Sequence, residues 1–194
     1  EMTQIVYNGR YLLADRRCTY GYYTTIEAPK VFKIQVGDIA RYFAFSGSFK
    51  ECALGEEVIR TNFDPEVINK VRSILGEDAL GVFLGIVVDV SPIGKRVYLA
   101  NYAGDLCEID PDQFIVIGAM SSELSAAWKV WEFMSENQDR GSSESLESLV
   151  DFVHFVTKGT EFDQTNRKLD IYDLVTGGLR SEEHTSELQS PEAI

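Results

Sequence analysis

Hydrophobic period limits what this chain can fold into more than any motif does, because it changes in long blocks between the strand value of about 2 and the helix value of about 3.6. Residues 4–14 (QIVYNGRYLLA) hold two β-rich runs around Asn8-Gly9, a dipeptide that favours a tight hairpin because both residues tolerate positive φ. Strand character continues through residues 20–26 (YGYYTTI), 30–35 (KVFKIQ) and 40–45 (ARYFAF). From Ser48 the period becomes helical, with Phe49, Cys52, Ala53, Glu56, Val58, Ile59 and Phe63 recurring on a turn. Ser48 is placed to cap that helix, and Glu51 three residues later completes a capping box. Asp64-Pro65 opens a second helix striped by Val67, Ile68, Val71, Ile74 and Leu75, ending near Gly76. Residues 80–90, 96–101, 104–109 and 114–117 return to strands, divided by turn-forming Pro92-Ile93-Gly94, Ala103-Gly104 and Asp110-Pro111-Asp112. Two more helical stretches, 122–134 and 146–156, are split by the polar run 137–145, and residues 169–175 form a last strand. Because no strand–helix–strand alternation occurs, the prediction is an α+β single domain with two sheets between helical layers.

Composition excludes several classes of function. A formal charge of −13 with no basic block argues against nucleic acid as a partner, because phosphate binding needs clustered Lys and Arg. The longest apolar run, residues 79–90, falls short of the ~20 residues that cross a bilayer, so no membrane association is expected. No secretion signal precedes Met2, and the odd set Cys18, Cys52 and Cys107 suits reduced thiols, so a soluble, cytoplasmic protein is expected. There is no phosphate loop, HExxH or metal-ligand spacing, and GAMSSE is not GxSxG; no cofactor or metal is expected. Tyr20, Tyr22, Tyr23, Phe43 and Phe45 read as sheet packing. Residues 180–190 (RSEEHTSELQS) resemble a translated sequencing adapter, which sets the expected domain at residues 2–179 and a non-native tail at 180–194, taking His184 out of consideration.

Four short stretches carry a further reading: Leu12-Leu13-Ala14-Asp15-Arg16-Arg17, Pro29-Lys30-Val31-Phe32-Lys33-Ile34, Phe45-Ser46-Gly47-Ser48 before a helix, and Ile117-Gly118-Ala119-Met120-Ser121 before another. In this order and at this spacing they resemble the proteasome β-subunit family of Ntn hydrolases, which includes the bacterial ATP-dependent ring peptidases. The likeness in style is particularly to proteasome-like proteins encoded by tailed phages, and it covers residues 2–176. The resemblance implies a four-layer αββα sandwich and a threonine peptidase. Thr3, exposed by loss of Glu1 and Met2, would be its nucleophile and its own α-amine the base. An α-amine has a pKa of about 7.7–8.0, so a useful fraction can accept the hydroxyl proton.

By the same resemblance Lys30 matches the lysine that lowers the pKa of that nucleophile, Asp15 the carboxylate that holds the lysine, and Gly47 the glycine whose N–H forms the oxyanion hole. Lys33, the competing lysine, would point to the opposite strand face. Ser121 or Ser122 would replace a serine that the family carries where this chain has Ala119-Met120, and His154 stands where the family has a carboxylate. His154 reads better as a core histidine. Implied partners are peptide or unfolded-protein substrates, copies of the same chain in a homo-oligomeric ring, and an ATP-dependent unfoldase. Asp15 and Lys30 read alternatively as a structural ion pair, and the whole chain as an inactive Ntn-fold binding or structural protein or as an amidohydrolase for a small amide.

Overall fold

The computed structural model describes residues 3–20, 24–137, 146–159 and 168–183. The chain runs through β1 (Gln4–Tyr7), β2 (Tyr11–Asp15), β3 (Arg17–Tyr20), β4 (Thr24–Glu27), β5 (Val31–Val36) and β6 (Ile39–Phe45). Helices α1 (Phe49–Arg60), α2 (Pro65–Ile74) and the single turn α3 (Glu77–Leu80) follow. Strands β7 (Gly85–Ser91), β8 (Gly94–Ala100), β9 (Leu106–Ile109) and β10 (Ile115–Gly118) lead to helices α4 (Ser121–Asn137) and α5 (Leu146–Thr157), and β11 (Lys168–Asp173) and β12 (Leu179–Glu183) come last.

Local chemistry explains much of this. The expected first hairpin forms with Val6 opposite Leu13. The Asn8 side-chain oxygen accepts the N–H groups of Arg10 (3.1 Å) and Tyr11 (2.8 Å), and Gly9 takes φ +98°. Ser48 caps α1 as expected, its hydroxyl accepting the Glu51 N–H while the Glu51 carboxylate accepts the Ser48 N–H, both at 3.2 Å. Asp64 caps α2 through the Glu66 N–H at 2.9 Å, ahead of Pro65.

The expected four-layer αββα sandwich is corrected. Among the described residues there are three sheets, all antiparallel, with five helices, so strands dominate. Two sheets have five strands, ordered β10-β1-β2-β11-β12 and β5-β6-β7-β8-β9; the third is the pair β3-β4, with Arg17 opposite Glu27. Residues 20–26, read as one strand, hold instead the end of β3 and the start of β4; residues 21–23, with Tyr22 and Tyr23, lie outside the described residues. A strand that enters a large sheet and one that folds back on its neighbour share the same two-residue period, so pattern cannot separate them. The strand expected from residue 80 begins at Gly85 instead, after Glu77 and Asp78 open α3. Residues 180–183, assigned to the expected tail, belong to β12 and pair with β11. Residues 184–194 and most of the run 137–145 lie outside the described residues.

Three apolar clusters hold these parts together. The inner one, between the large sheets, contains Ile5, Tyr7, Leu12, Ala14, Tyr42, Ile86 and Val88. On the outer face of the first sheet, Val6, Leu13 and Ile171 meet Leu124, Trp128, Leu149 and Phe152 of α4 and α5, and Phe114 stacks on Trp128 with ring centroids 4.4 Å apart. On the outer face of the second, Phe43, Phe45 and Val87 meet Val58, Ile59 and Val71 of α1 and α2. Alternate residues of β1, β2 and β6 thus face different clusters, and Thr3, Asp15 and Ser46 emerge together where those strands end.

Candidate active site

Thr3 precedes β1 and is only 4% exposed. Its carbonyl oxygen accepts the Ala119 N–H at 3.1 Å and the Ser46 hydroxyl at 3.5 Å. Gly118, opposite Gln4 in the sheet, permits that approach: its φ is +95°, and a Cβ there would overlap the Thr3 carbonyl oxygen. The Gln4 side-chain amide then donates to the Ala119 carbonyl at 3.0 Å, binding both sides of the pair.

Asp15 ends β2 and is 1% exposed. One carboxylate oxygen accepts the Lys30 ammonium at 3.2 Å and the other the Gln4 backbone N–H at 3.4 Å, so a single buried group ties the segment after Thr3 to Lys30. Lys30 is 8% exposed; a buried ammonium requires a partner of this kind because its desolvation is costly. Lys33 goes elsewhere, donating to the Gly177 carbonyl at 3.1 Å and lying over the Tyr42 ring.

Thr3, Lys30 and Gly47 share the wall of one cavity of about 140 Å3, with Pro29, Phe32, Phe45 and Phe49 as its apolar surface and Cys18, Cys52 and Glu56 as its remaining polar groups. Gly47 takes φ +137° directly before the N-terminus of α1, where the helix adds positive potential. Burial pushes the Glu56 carboxyl up to about 7, against the opposing pull of the Arg60 guanidinium. As pH rises from 4.5, the ordinary value, towards 7, the unfolded chain therefore loses this proton first, and stability falls across that window. Glu56→Gln is expected to flatten the fall and raise the melting temperature at pH 7 and above, as thermal unfolding followed against pH would register.

The sequence-predicted residues separate accordingly. Thr3, Lys30 and Gly47 meet at the cavity with Asp15 behind Lys30, whereas Ser121 opens α4 half-buried and is not part of the cavity wall among the described residues. His154 is buried on α5, also away from that wall. Sequence reasoning passed over three contributors: Ser46, whose hydroxyl reaches the Thr3 carbonyl oxygen; Glu56, on the cavity-facing side of α1; and Tyr102, whose hydroxyl donates to the Ser46 carbonyl at 2.5 Å. Ser46 lay within a recognised motif, and the helical period already placed Glu56 on the face with Cys52; nothing local marks Tyr102. Among the described residues no three His, Cys, Asp or Glu are grouped to hold a metal ion, and no helix is long and apolar enough to cross a membrane.

No family model and no curated protein matches this chain. Solved structures do. Anbu, described as an ancestral beta-subunit, from Yersinia bercovieri superimposes with a TM-score of 0.62 at 12% identity over 96% of this chain and 90% of that one. A Gly-1 mutant of Anbu from Hyphomicrobium sp. strain MC1 gives 0.59 at 13% identity over 96% and 88%. The helical assembly of the Anbu complex from Pseudomonas aeruginosa gives 0.59 at 12% over 95% and 87%. At these identities the likeness is one of fold alone: the chain folds as these Anbu structures do. It corrects the resemblance drawn from the four motifs: neither the ring-peptidase family nor a phage-type member is supported by any sequence match, and the similar structures named above are Anbu proteins.

Proposed function

We propose that this chain is an N-terminal threonine hydrolase that cleaves peptide bonds, with Thr3 as nucleophile once Glu1 and Met2, which lie outside the described residues, are removed. One observation carries the reading: Thr3, Lys30 and Gly47 line a single cavity, with Lys30 held by the buried Asp15 carboxylate. In the proposed reaction the Thr3 hydroxyl adds to the carbonyl carbon and passes its proton to the threonine's own α-amine. The carbonyl oxygen becomes an oxyanion beside the Gly47 N–H, at the positive end of α1. The carbon–nitrogen bond then breaks, the ammonium returns the proton to the leaving amine, and an ester remains on Thr3. Water, deprotonated by the same amine, attacks the ester, releases the carboxylic acid and restores the hydroxyl. Lys30 contributes a fixed positive charge beside the nucleophile, favouring its deprotonation. The mostly apolar cavity, only about 140 Å3, has room for one side chain of a peptide, which supports a peptide substrate.

The same reading includes self-association, because an Anbu structure is a helical assembly. A cytoplasmic setting accords with three cysteines, none of them in a disulfide. A second reading, a fold retained without turnover, draws on Ala119, which offers Thr3 only its backbone where a hydroxyl would assist.

Intact mass combined with an epoxyketone probe distinguishes the two, because this electrophile forms its stable ring only by bonding both the hydroxyl and a free α-amine of the same residue. The expected result is loss of Glu1 and Met2 and an adduct mapped to Thr3. Turnover by protein that retains Met2 would overturn the mechanism, and processed protein that the probe never labels would favour the non-catalytic reading.

A further inference from the structure

We propose that Tyr102 is a positioning residue for the oxyanion-binding peptide, a role that rests on the threonine chemistry above. Tyr102 lies in the turn after β8, is 1% exposed, and donates from its hydroxyl to the Ser46 carbonyl at 2.5 Å. That carbonyl and the Gly47 N–H are opposite ends of one planar trans peptide, so holding the first fixes the direction of the second. A bond to the carbonyl also polarises the amide and strengthens its N–H as a donor. Such restraint is needed here because Gly47, at φ +137°, has no side chain to limit rotation of its own backbone. A Cβ at Gly47 would overlap the Tyr102 hydroxyl and lie 3.1 Å from its ring carbon Cζ, so glycine and tyrosine occupy complementary space.

The surroundings fit this role. Among the described residues no acceptor takes the Gly47 N–H, which leaves it available to a developing oxyanion. The Tyr102 ring packs 5.9 Å from Phe45, itself part of the cavity wall, whereas Tyr102 is behind that wall and would not touch substrate. Burial, reinforced by the nearby Glu51 charge, raises the Tyr102 pKa, so the hydroxyl remains a proton donor throughout the working range.

Two electrophiles separate positioning from a merely structural role. When Thr3 opens a β-lactone, its oxygen bonds to the carbonyl carbon, charge passes through the carbonyl oxygen, and the ring oxygen leaves and takes up the proton. When Thr3 adds to a peptide vinyl sulfone, a carbon–oxygen bond forms at the far alkene carbon, charge develops on the carbon beside the sulfone, and that carbon takes up the proton; no carbonyl oxyanion forms. Tyr102→Phe, which keeps the ring, is expected to slow β-lactone labelling about tenfold to a hundredfold, to leave vinyl sulfone labelling within about twofold, and to lower kcat with KM unchanged. Equal losses with both probes, or no loss with either, overturn the proposal. Should the phenylalanine variant not fold, 3,5-difluorotyrosine at position 102 supplies a more acidic donor of similar size. It should change the β-lactone rate alone, and parallel or absent changes overturn the role. Labelling of Thr3→Ala, or no labelling of the unaltered protein, removes the threonine reading itself and this role with it; Tyr102→Phe behaving as wild type beside a silent Thr3→Ala removes the positioning role only.

Discussion

Lys30→Ala is expected to reduce turnover by about two to three orders of magnitude and to lower the free energy of unfolding by about 3–5 kcal/mol. Both effects have one origin. Lys30 and Asp15 are 8% and 1% exposed, and the ammonium is the charged partner 3.2 Å from that carboxylate. Removing it takes the positive charge from beside a buried carboxylate and frees the tie from Asp15 to the cavity wall. Urea unfolding with an unchanged slope and a lower midpoint would record the stability loss. The activity loss should exceed what instability explains, persisting where the variant is fully folded. Asp15→Asn separates the contributions, because the amide oxygen can still accept from Lys30 or Gln4 but brings no charge. Its stability should lie between those of the wild type and Lys30→Ala. Folded Lys30→Ala with full turnover would leave the pair as structure alone.

Gly118→Ala is expected to be as damaging to stability, at about 3–5 kcal/mol, with no charge involved. At φ +95° the backbone is strained for any residue with a Cβ, and the added methyl would overlap the Thr3 carbonyl oxygen and come within 3.0 Å of the Ser46 hydroxyl. The obstacle is backbone, which cannot rotate away as a side chain would. Relief therefore requires Thr3 and the start of β1 to leave β10, breaking the Ala119 N–H bond to Thr3 at 3.1 Å. Thermal unfolding should reveal the loss, and probe labelling of any folded fraction should fall because Thr3 is displaced. A variant with wild-type melting temperature would mean that the close approach is not needed in solution.

Both substitutions act at places where distant segments meet, and such meetings were unevenly visible beforehand. Asp15, Lys30 and Gly47 belong to separate motifs, and the structure brings Lys30 and Gly47 to one cavity with Thr3 while Asp15 lies behind Lys30. Ser46, whose hydroxyl reaches the Thr3 carbonyl oxygen, is 43 residues away in sequence, and no spacing rule links the two. Tyr102 was invisible for the same reason: its partner Ser46 is 56 residues distant, and a tyrosine in a turn has no local pattern to mark it.

What the amino-acid order determined alone is local. Asn8-Gly9 makes a hairpin because its own side chain and φ freedom close the turn, Ser48 and Glu51 start α1 by bonding each other's backbone, and Asp64-Pro65 starts α2. Each works through atoms a few residues apart, so the chemistry is complete within a short window. Only tertiary structure decided that β3 and β4 form a sheet of their own, that β12 extends the first sheet, that Glu56 joins Thr3 in the cavity wall, and that Tyr102 meets the Ser46 carbonyl behind it. Strand period is the same whichever partner a strand finds, and side chains from distant segments meet only once burial of three apolar clusters has set the sheets and helices against one another.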